Sequence, residues 1–205
     1  MTKKTLKIRE LLKCGGYPGD DDKTDILMKG GPADGWLWIS QRSPHFITGK
    51  VTLRARKNGK YPYNCLEMIE HLFGPEDNVI EVCSYNSRYL EPDIVTVDIN
   101  PDHKPDIVDD ARVLSKVESN RFNRWRCDPP YNEETARRMY GTKVPDTLRM
   151  LEAGTRVCKS KALMFLLLGP QNNQQCPKGI RRIGWIPISI IPNNELRALH
   201  IYYKE

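Results

Sequence analysis

Val79-Ile80-Glu81-Val82-Cys83, followed by Ile94-Val95-Thr96-Val97 ending at Asp98, are the two stretches that decide the fold of this 205-residue chain. Each is a short run of β-branched apolar residues that stops at polar residues, the pattern of a buried strand. Before the first, Asn64-Cys65-Leu66-Glu67 reads as an N-cap with its reciprocating glutamate, and Leu66, Ile69, Leu72 and Phe73 form a helical face that ends at Gly74-Pro75. After the second come a short strand over 106–108, a further strand over 122–127, helices over 133–140 and 146–153, and the most apolar strand, 162–168, closed by Gly169-Pro170. Two β-rich pieces, 186–191 and 198–203, are separated by the turn residues Pro192-Asn193-Asn194. Strands alternating with helices predict an α/β fold, a mostly parallel sheet with helices on its faces and an antiparallel hairpin at its C-terminal edge.

Composition changes near residue 60. Residues 1–60 carry 13 lysines and arginines against 6 acids, a net of +7, while residues 61–205 carry 19 against 20, a net of −1. The expected organisation is a basic N-terminal extension, 1–60, and a parallel α/β domain, 61–205. The extension holds a short helix around Leu6 to Leu12, a stretch rich in glycine and aspartate, and the apolar patch Trp36-Leu37-Trp38-Ile39. Its segment 41–60 contains Arg42, Lys50, Arg54, Arg56, Lys57 and Lys60 and no acid. Asp20-Asp21-Asp22 lacks the alternating ligands and central glycine of a calcium loop and reads as a solvated turn.

Several classes are excluded by the same count. The length suits one domain, or one domain with an arm. The longest apolar run, 162–168, is far below the roughly 20 residues that span a bilayer. The N-terminus alternates lysine with leucine and has no apolar core of a secretion signal. The six cysteines show no paired zinc-ligand spacing, which predicts free thiols in a reducing cytoplasm and no metal. Histidines 45, 71, 103 and 200 are scattered and read as surface or structural residues.

In an open parallel sheet, ligands bind outside the carboxyl ends of the strands. Asp98, ending the second strand, stands where a carboxylate accepts from ribose hydroxyls, or equally where it caps a turn. Asp110, before Ala111, can accept from an adenine amine or sit exposed at a helix start. The strongest signal is Asp128-Pro129-Pro130-Tyr131. Two prolines fix the backbone and remove two N–H donors, so their carbonyls are acceptors without local competition. An acid before them and an aromatic after them suit a planar group bearing an NH2. The amine donates to Asp128 and to a proline carbonyl while Tyr131 stacks on the ring, which aims the nitrogen lone pair at an electrophile.

Residues 61–205 resemble the class I S-adenosylmethionine-dependent methyltransferases, specifically the nucleic-acid amino-methyltransferases whose motif is (D/N/S)PP(Y/F/W). The resemblance runs through Val79 to Cys83, Asp98, Asp110-Ala111 and Asp128 to Tyr131. It implies a Rossmann-like class I methyltransferase sheet, S-adenosyl-L-methionine as cofactor, and methyl transfer to an exocyclic amino group of a base in DNA or RNA, adenine N6 favoured. Asp128, Pro129, Pro130 and Tyr131 would be catalytic; Glu81, Cys83, Ser84, Asn86, Asp98, Ile99, Asp110 and Ala111 would hold the cofactor. Two departures stand out. The family's first loop is glycine-rich, whereas Glu81 to Arg88 contains no glycine, and the strand Phe122-Asn123-Arg124-Trp125-Arg126-Cys127 is polar enough to be exposed or irregular.

A sulfonium methyl is already activated, so the chemistry asks mainly for alignment, with no metal and no dedicated base. The basic residues Arg42, Lys50, Arg54, Arg56, Lys57 and Lys60, with Tyr61 and Tyr63 beyond them, suit phosphates and an unpaired base, or else a solvated hairpin. Phe46 to Lys50 is a further candidate for the methionine end of the cofactor. A duplex substrate would require base flipping. The alternatives are a non-catalytic nucleic-acid-binding module on the same fold, and a methyltransferase for a protein amide or small amine. A nicotinamide-dependent enzyme is disfavoured because GxGxxG is absent.

Overall fold

The computed structural model describes residues 23–28, 35–40, 46–48, 51–54, 61–62, 65–74, 77–85, 94–169, 176–191 and 195–205. Four strands come first: β1 (Lys23–Met28), β2 (Gly35–Ser40), β3 (Phe46–Thr48) and β4 (Val51–Arg54). Helix α1 (Cys65–Phe73) leads into β5 (Val79–Val82), then β6 (Val95–Asp98), a 3-10 turn (Pro101–His103), β7 (Ile107–Val108) and β8 (Phe122–Cys127). Helices α2 (Glu133–Tyr140) and α3 (Thr147–Val157) precede β9 (Cys158–Leu168), β10 (Ile180–Ile191) and β11 (Glu195–Lys204). The expected strands and helices beyond residue 60 are all present. The last three strands are longer than the apolar runs, because hydrogen-bonded pairing carries them into polar residues.

Across the sheet the order is β1-β2-β3-β10-β11-β9-β8-β5-β6-β7, with β4 also on β10. The five strands β7, β6, β5, β8 and β9 run parallel. Strand β11 is antiparallel to both β9 and β10 and lies between them, the expected hairpin inserted into the sheet. The first residues of β11 therefore stand at the carboxyl edge of the parallel strands, where Ala198 pairs with Leu168. Residues expected as an extension continue the sheet instead: β3 and β4 pair in parallel with β10. The predicted helix near Leu6, the Asp20 turn, and Arg42, Lys50, Arg56, Lys57 and Lys60 lie outside the described residues.

Two cores flank the sheet. On one face α1 buries Leu66, Met68, Ile69, Leu72 and Phe73 against Leu163, Phe165, Leu167, Leu199 and Ile201. On the other, Met150, Leu151, Ala153 and Val157 of α3 cover Ile80, Val82, Trp125, Cys127, Met164 and Leu166. Helix α3 starts where Asp146 accepts from the amides of Leu148 and Arg149. It comes closest to the sheet at Gly154, where a Cβ would lie 2.8 Å from Met164 Cε and 3.0 Å from Trp125. No described helix is long and apolar enough to cross a membrane.

Strand β8 corrects one expectation and meets another. Its register shifts between Phe122 and Arg124, so it is irregular at its start. It is not exposed: Arg124 and Arg126 are each 1% accessible at the centre of the sheet. Arg126 pairs with Glu81, its register partner on β5, at 3.0 Å. Arg124 donates to the Gly74 carbonyl at 2.9 Å and lies over the Phe165 ring. The polar sequence is thus an internal network of compensated charges, which is the only form in which buried guanidinium groups are tolerated.

Candidate active site

The polar residues that follow β5, β6 and β8 converge because those strands are parallel neighbours. Strand β5 has β6 on one side and β8 on the other, so the chain reverses its direction of winding there, and a crevice opens at the carboxyl ends. The loop after β5 keeps a glycine-like backbone without glycine: Cys83 has φ +55° and Tyr85 φ +48°. Such conformations cost a residue with a Cβ about 1 kcal/mol. The strain is held by the Ser84 amide bonding to the Val97 carbonyl at 3.2 Å and by the Tyr85 amide bonding to Asp98. Ser84 is buried, and its hydroxyl makes no hydrogen bond. Asn86 lies outside the described residues. Glu81 faces the interior and pairs with Arg126, so it supports the crevice from beneath.

Asp98 is 1% accessible. Oδ2 accepts from the Tyr85 amide and Oδ1 from the Asn100 amide, each at 2.9 Å, and His103 Nδ1 lies 3.1 Å from Oδ1. The His103 ring stands between Tyr85, 4.4 Å away centre to centre, and Tyr140, 5.5 Å away. The acid expected at a ribose is present at the right strand end, with one acceptor position on each oxygen taken by a backbone amide of its own chain.

Asp110 is likewise engaged. Arg112 donates Nε at 3.0 Å to each of its oxygens and Nη2 at 2.6 Å to Oδ2, and the fork holds the Asp110 carboxyl below its ordinary range. Asp109 accepts from the Ser115 hydroxyl and the Lys116 amide, and Asp109, Asp110 and Ala111 together line the crevice.

The Asp128-Pro129-Pro130-Tyr131 run leaves β8 directly. Asp128 is 7% accessible, and burial pushes its carboxyl up to about 7; the Tyr131 hydroxyl, donating at 2.8 Å, and the nearby Arg197 charge oppose the rise. Burial and the adjacent carboxylate raise the Tyr131 hydroxyl well above its usual value. The Arg197 guanidinium lies over the Tyr131 ring. Just before the acid, burial and a hydrogen bond that the Cys127 thiol donates to Cys83 push that thiol up, which ties the ends of β5 and β8.

An open crevice brings six of the expected residues together: Cys83, Asp98, Ile99, Asp110, Ala111 and Pro130. Its far wall is Tyr140, Thr142, Lys143 and Pro145, from the end of α2 and the turn after it. None of these four carried a sequence signal beyond the Tyr140-Gly141 helix stop. Arg197 and His103 were missed as site residues as well. Arg54 ends β4, and Phe46 begins β3, four strands from β8 in the sheet order. Among the described residues no group of three or more metal-binding side chains is gathered.

A twisted parallel sheet closed by an antiparallel β11, with its crevice between β5, β6 and β8, is the Rossmann-like class I methyltransferase fold. TrmN from Thermus thermophilus shares it at a TM-score of 0.53 and 12% identity over 72% of this chain and 50% of that one. This chain thus spans about half the length of TrmN. Weaker likenesses include YhhF from Escherichia coli, TM-score 0.49 at 12% identity over 89% of this chain and 99% of that one. A SAM-dependent methyltransferase from Aquifex aeolicus gives 0.45 at 12% identity over 66% and 88%. No protein-family model matches the chain, and no curated protein does.

Proposed function

We propose that this protein is an S-adenosylmethionine-dependent methyltransferase acting on an exocyclic amino group of a nucleic-acid base, adenine N6 in the first instance. One observation carries the reading: Asp128 to Tyr131 leaves the strand at the fold's switch point, beside a crevice that Asp98 and Asp110 enter from the two next strand ends. The crevice presents acids where ribose and adenine need acceptors. Asp98, Ile99, Asp110 and Ala111 would hold the adenosine part, and the Cys83 to Tyr85 turn the methionine part. The cofactor, when bound, supplies a methyl group already activated by its sulfonium.

The chain's own residues do the positioning. The target amine donates one hydrogen to Asp128 and one to a carbonyl of the proline pair, which turns its lone pair towards the crevice. To accept that hydrogen, Asp128 releases the Tyr131 hydroxyl. After transfer the amine sheds a proton, and a carboxyl pushed up to about 7 is a competent acceptor for it.

The test is nucleoside mass spectrometry of DNA and RNA incubated with the protein and methyl-labelled cofactor, with Asp128→Ala alongside. Label on adenine N6 that the variant loses is expected; label on no nucleoside of either polymer overturns the reading. A non-catalytic nucleic-acid-binding module is the second reading, favoured by the engagement of Asp98 with its own backbone and by the glycine-free loop. Calorimetry separates the two, since that module retains nucleic acid and binds no cofactor.

A further inference from the structure

Arg197 is a buried cation outside the cofactor crevice, and the amine chemistry uses it only through its charge on Asp128. It is 6% accessible, and its Nε and Nη1 make no hydrogen bond; Nη2 bonds to Glu195, whose side chain is 48% accessible. It stands at the start of β11, on the carboxyl edge of the sheet, next to the Ala198 and Leu168 pair. Alternation along β11 puts it on the same face as Leu199 and Ile201. On β8 that face also carries Arg124, over Phe165, and alternation brings Asp128 to it. The guanidinium is planar and lies over the Tyr131 ring, the surface on which a target base would stack.

We propose that Arg197 is a substrate-positioning residue that gives up its place over Tyr131 in exchange for the backbone phosphate beside the target base. The inference rests on the reading of Asp128 to Tyr131 as the amine pocket. A base and the guanidinium cannot both cover that face of the ring. Moving a charge with two unpaired N–H groups is favourable only if an acceptor receives it, and a phosphodiester oxygen pair matches the guanidinium fork. Glu195 and Leu196, the latter 53% accessible, show that β11 begins at the solvent rim, where a polynucleotide backbone would run. A free nucleoside or a small amine brings no such acceptor. The site therefore selects a nucleotide within a chain over the isolated base it methylates.

The experiment compares wild type, Arg197→Met, which keeps the packing of the stem, and Arg197→Lys. Methyl transfer is measured on a single-stranded oligonucleotide and on 2′-deoxyadenosine, and oligonucleotide binding is followed by fluorescence anisotropy across a salt series. For Arg197→Met, kcat/KM on the oligonucleotide is expected to fall at least tenfold, mainly through KM, with a much smaller loss on the nucleoside, where only the effect of the lost charge on the Asp128 carboxyl is felt. The slope of log affinity against log salt should flatten by about one phosphate. Arg197→Lys keeps the slope and recovers part of the rate. Equal losses on both substrates, or an unchanged salt slope, overturn the proposal. A wild type that methylates neither substrate overturns the amine-pocket reading instead, while the salt slope still decides the phosphate contact.

Discussion

Asp128 is held in two conflicting states. Burial favours its protonated form, whereas the reaction proposed for it needs an ionised acceptor. Its folded pKa of about 7 stands above an unfolded value of 3.8, so the native state binds the extra proton between those limits. The stability this brings is full below about pH 4 and is lost as pH rises through 7. Asp128→Asn is neutral at every pH. Its melting temperature should match wild type at about pH 3 and exceed it at about pH 8, where the difference in stability is on the order of a few kcal/mol, while methyl transfer disappears. Wild-type kcat should rise with pH through about 7. Thermal melts at the two pH values and a pH–rate profile check both, and a variant less stable than wild type at pH 8 refutes the argument. Asp98, Asp110 and Asp128 were legible because a polar residue closing an apolar run is visible in one dimension. Arg197 and His103 were not: each gains its role from a partner more than one strand away or across a turn, Tyr131 for the first and Tyr140 for the second.

At the scale of elements, strand β5 and its loop were legible as a strand end, and the missing glycine read as a departure. The backbone resolves that point physically. The left-handed conformation is kept at Cys83 and Tyr85, and the cost is a Cβ at each position together with local strain. Cys83 lines the crevice, so its side chain takes space where a cofactor would approach the backbone. Cys83→Gly should relieve the φ +55° strain and tighten S-adenosylmethionine binding several-fold by calorimetry; weaker binding would show that the thiol contributes more than the strain costs. Helix α3 makes the opposite demand. A side chain at Gly154 meets the rigid Trp125 ring at 3.0 Å as well as Met164 Cε, so Gly154→Val overpacks this contact. A loss of about 2–3 kcal/mol follows, or roughly 5–10 °C in melting temperature, despite the helix penalty that glycine itself carries. An unchanged melt would mean that the helix can lift off the sheet. Nothing in the sequence marked Gly154, because a glycine inside a helical pattern declares no neighbour. The buried arginines of β8 were misjudged for the same reason: Arg126 is compatible with a central strand only because Glu81 is its register partner.

For the whole molecule, the division of charge and the topology have to be taken together. The net +7 lies in the first 60 residues, and their described strands continue the sheet at β10, on the side away from β5, β6 and β7. On the proposed function, cofactor binding and polyanion attraction would have their origins at opposite ends of one sheet, with Asp128 at the end of β8 between them. Strand β4 ends at Arg54, and Arg56 and Lys57 follow two and three residues later. If that region tracks phosphates, the joint substitution of Arg54, Arg56 and Lys57 by glutamine should flatten the salt dependence of oligonucleotide binding by two to three phosphates' worth. It should also weaken binding about 10- to 100-fold at low salt. Because the crevice is remote from β4 in the sheet, S-adenosylmethionine affinity should stay within about twofold. Calorimetry for the cofactor and an anisotropy salt series for the oligonucleotide test the separation. A parallel loss of both would mean that the first 60 residues support the fold of the site rather than its partner. An unchanged salt slope would return those charges to the status of a solvated surface and leave Arg197 as the site's main phosphate contact.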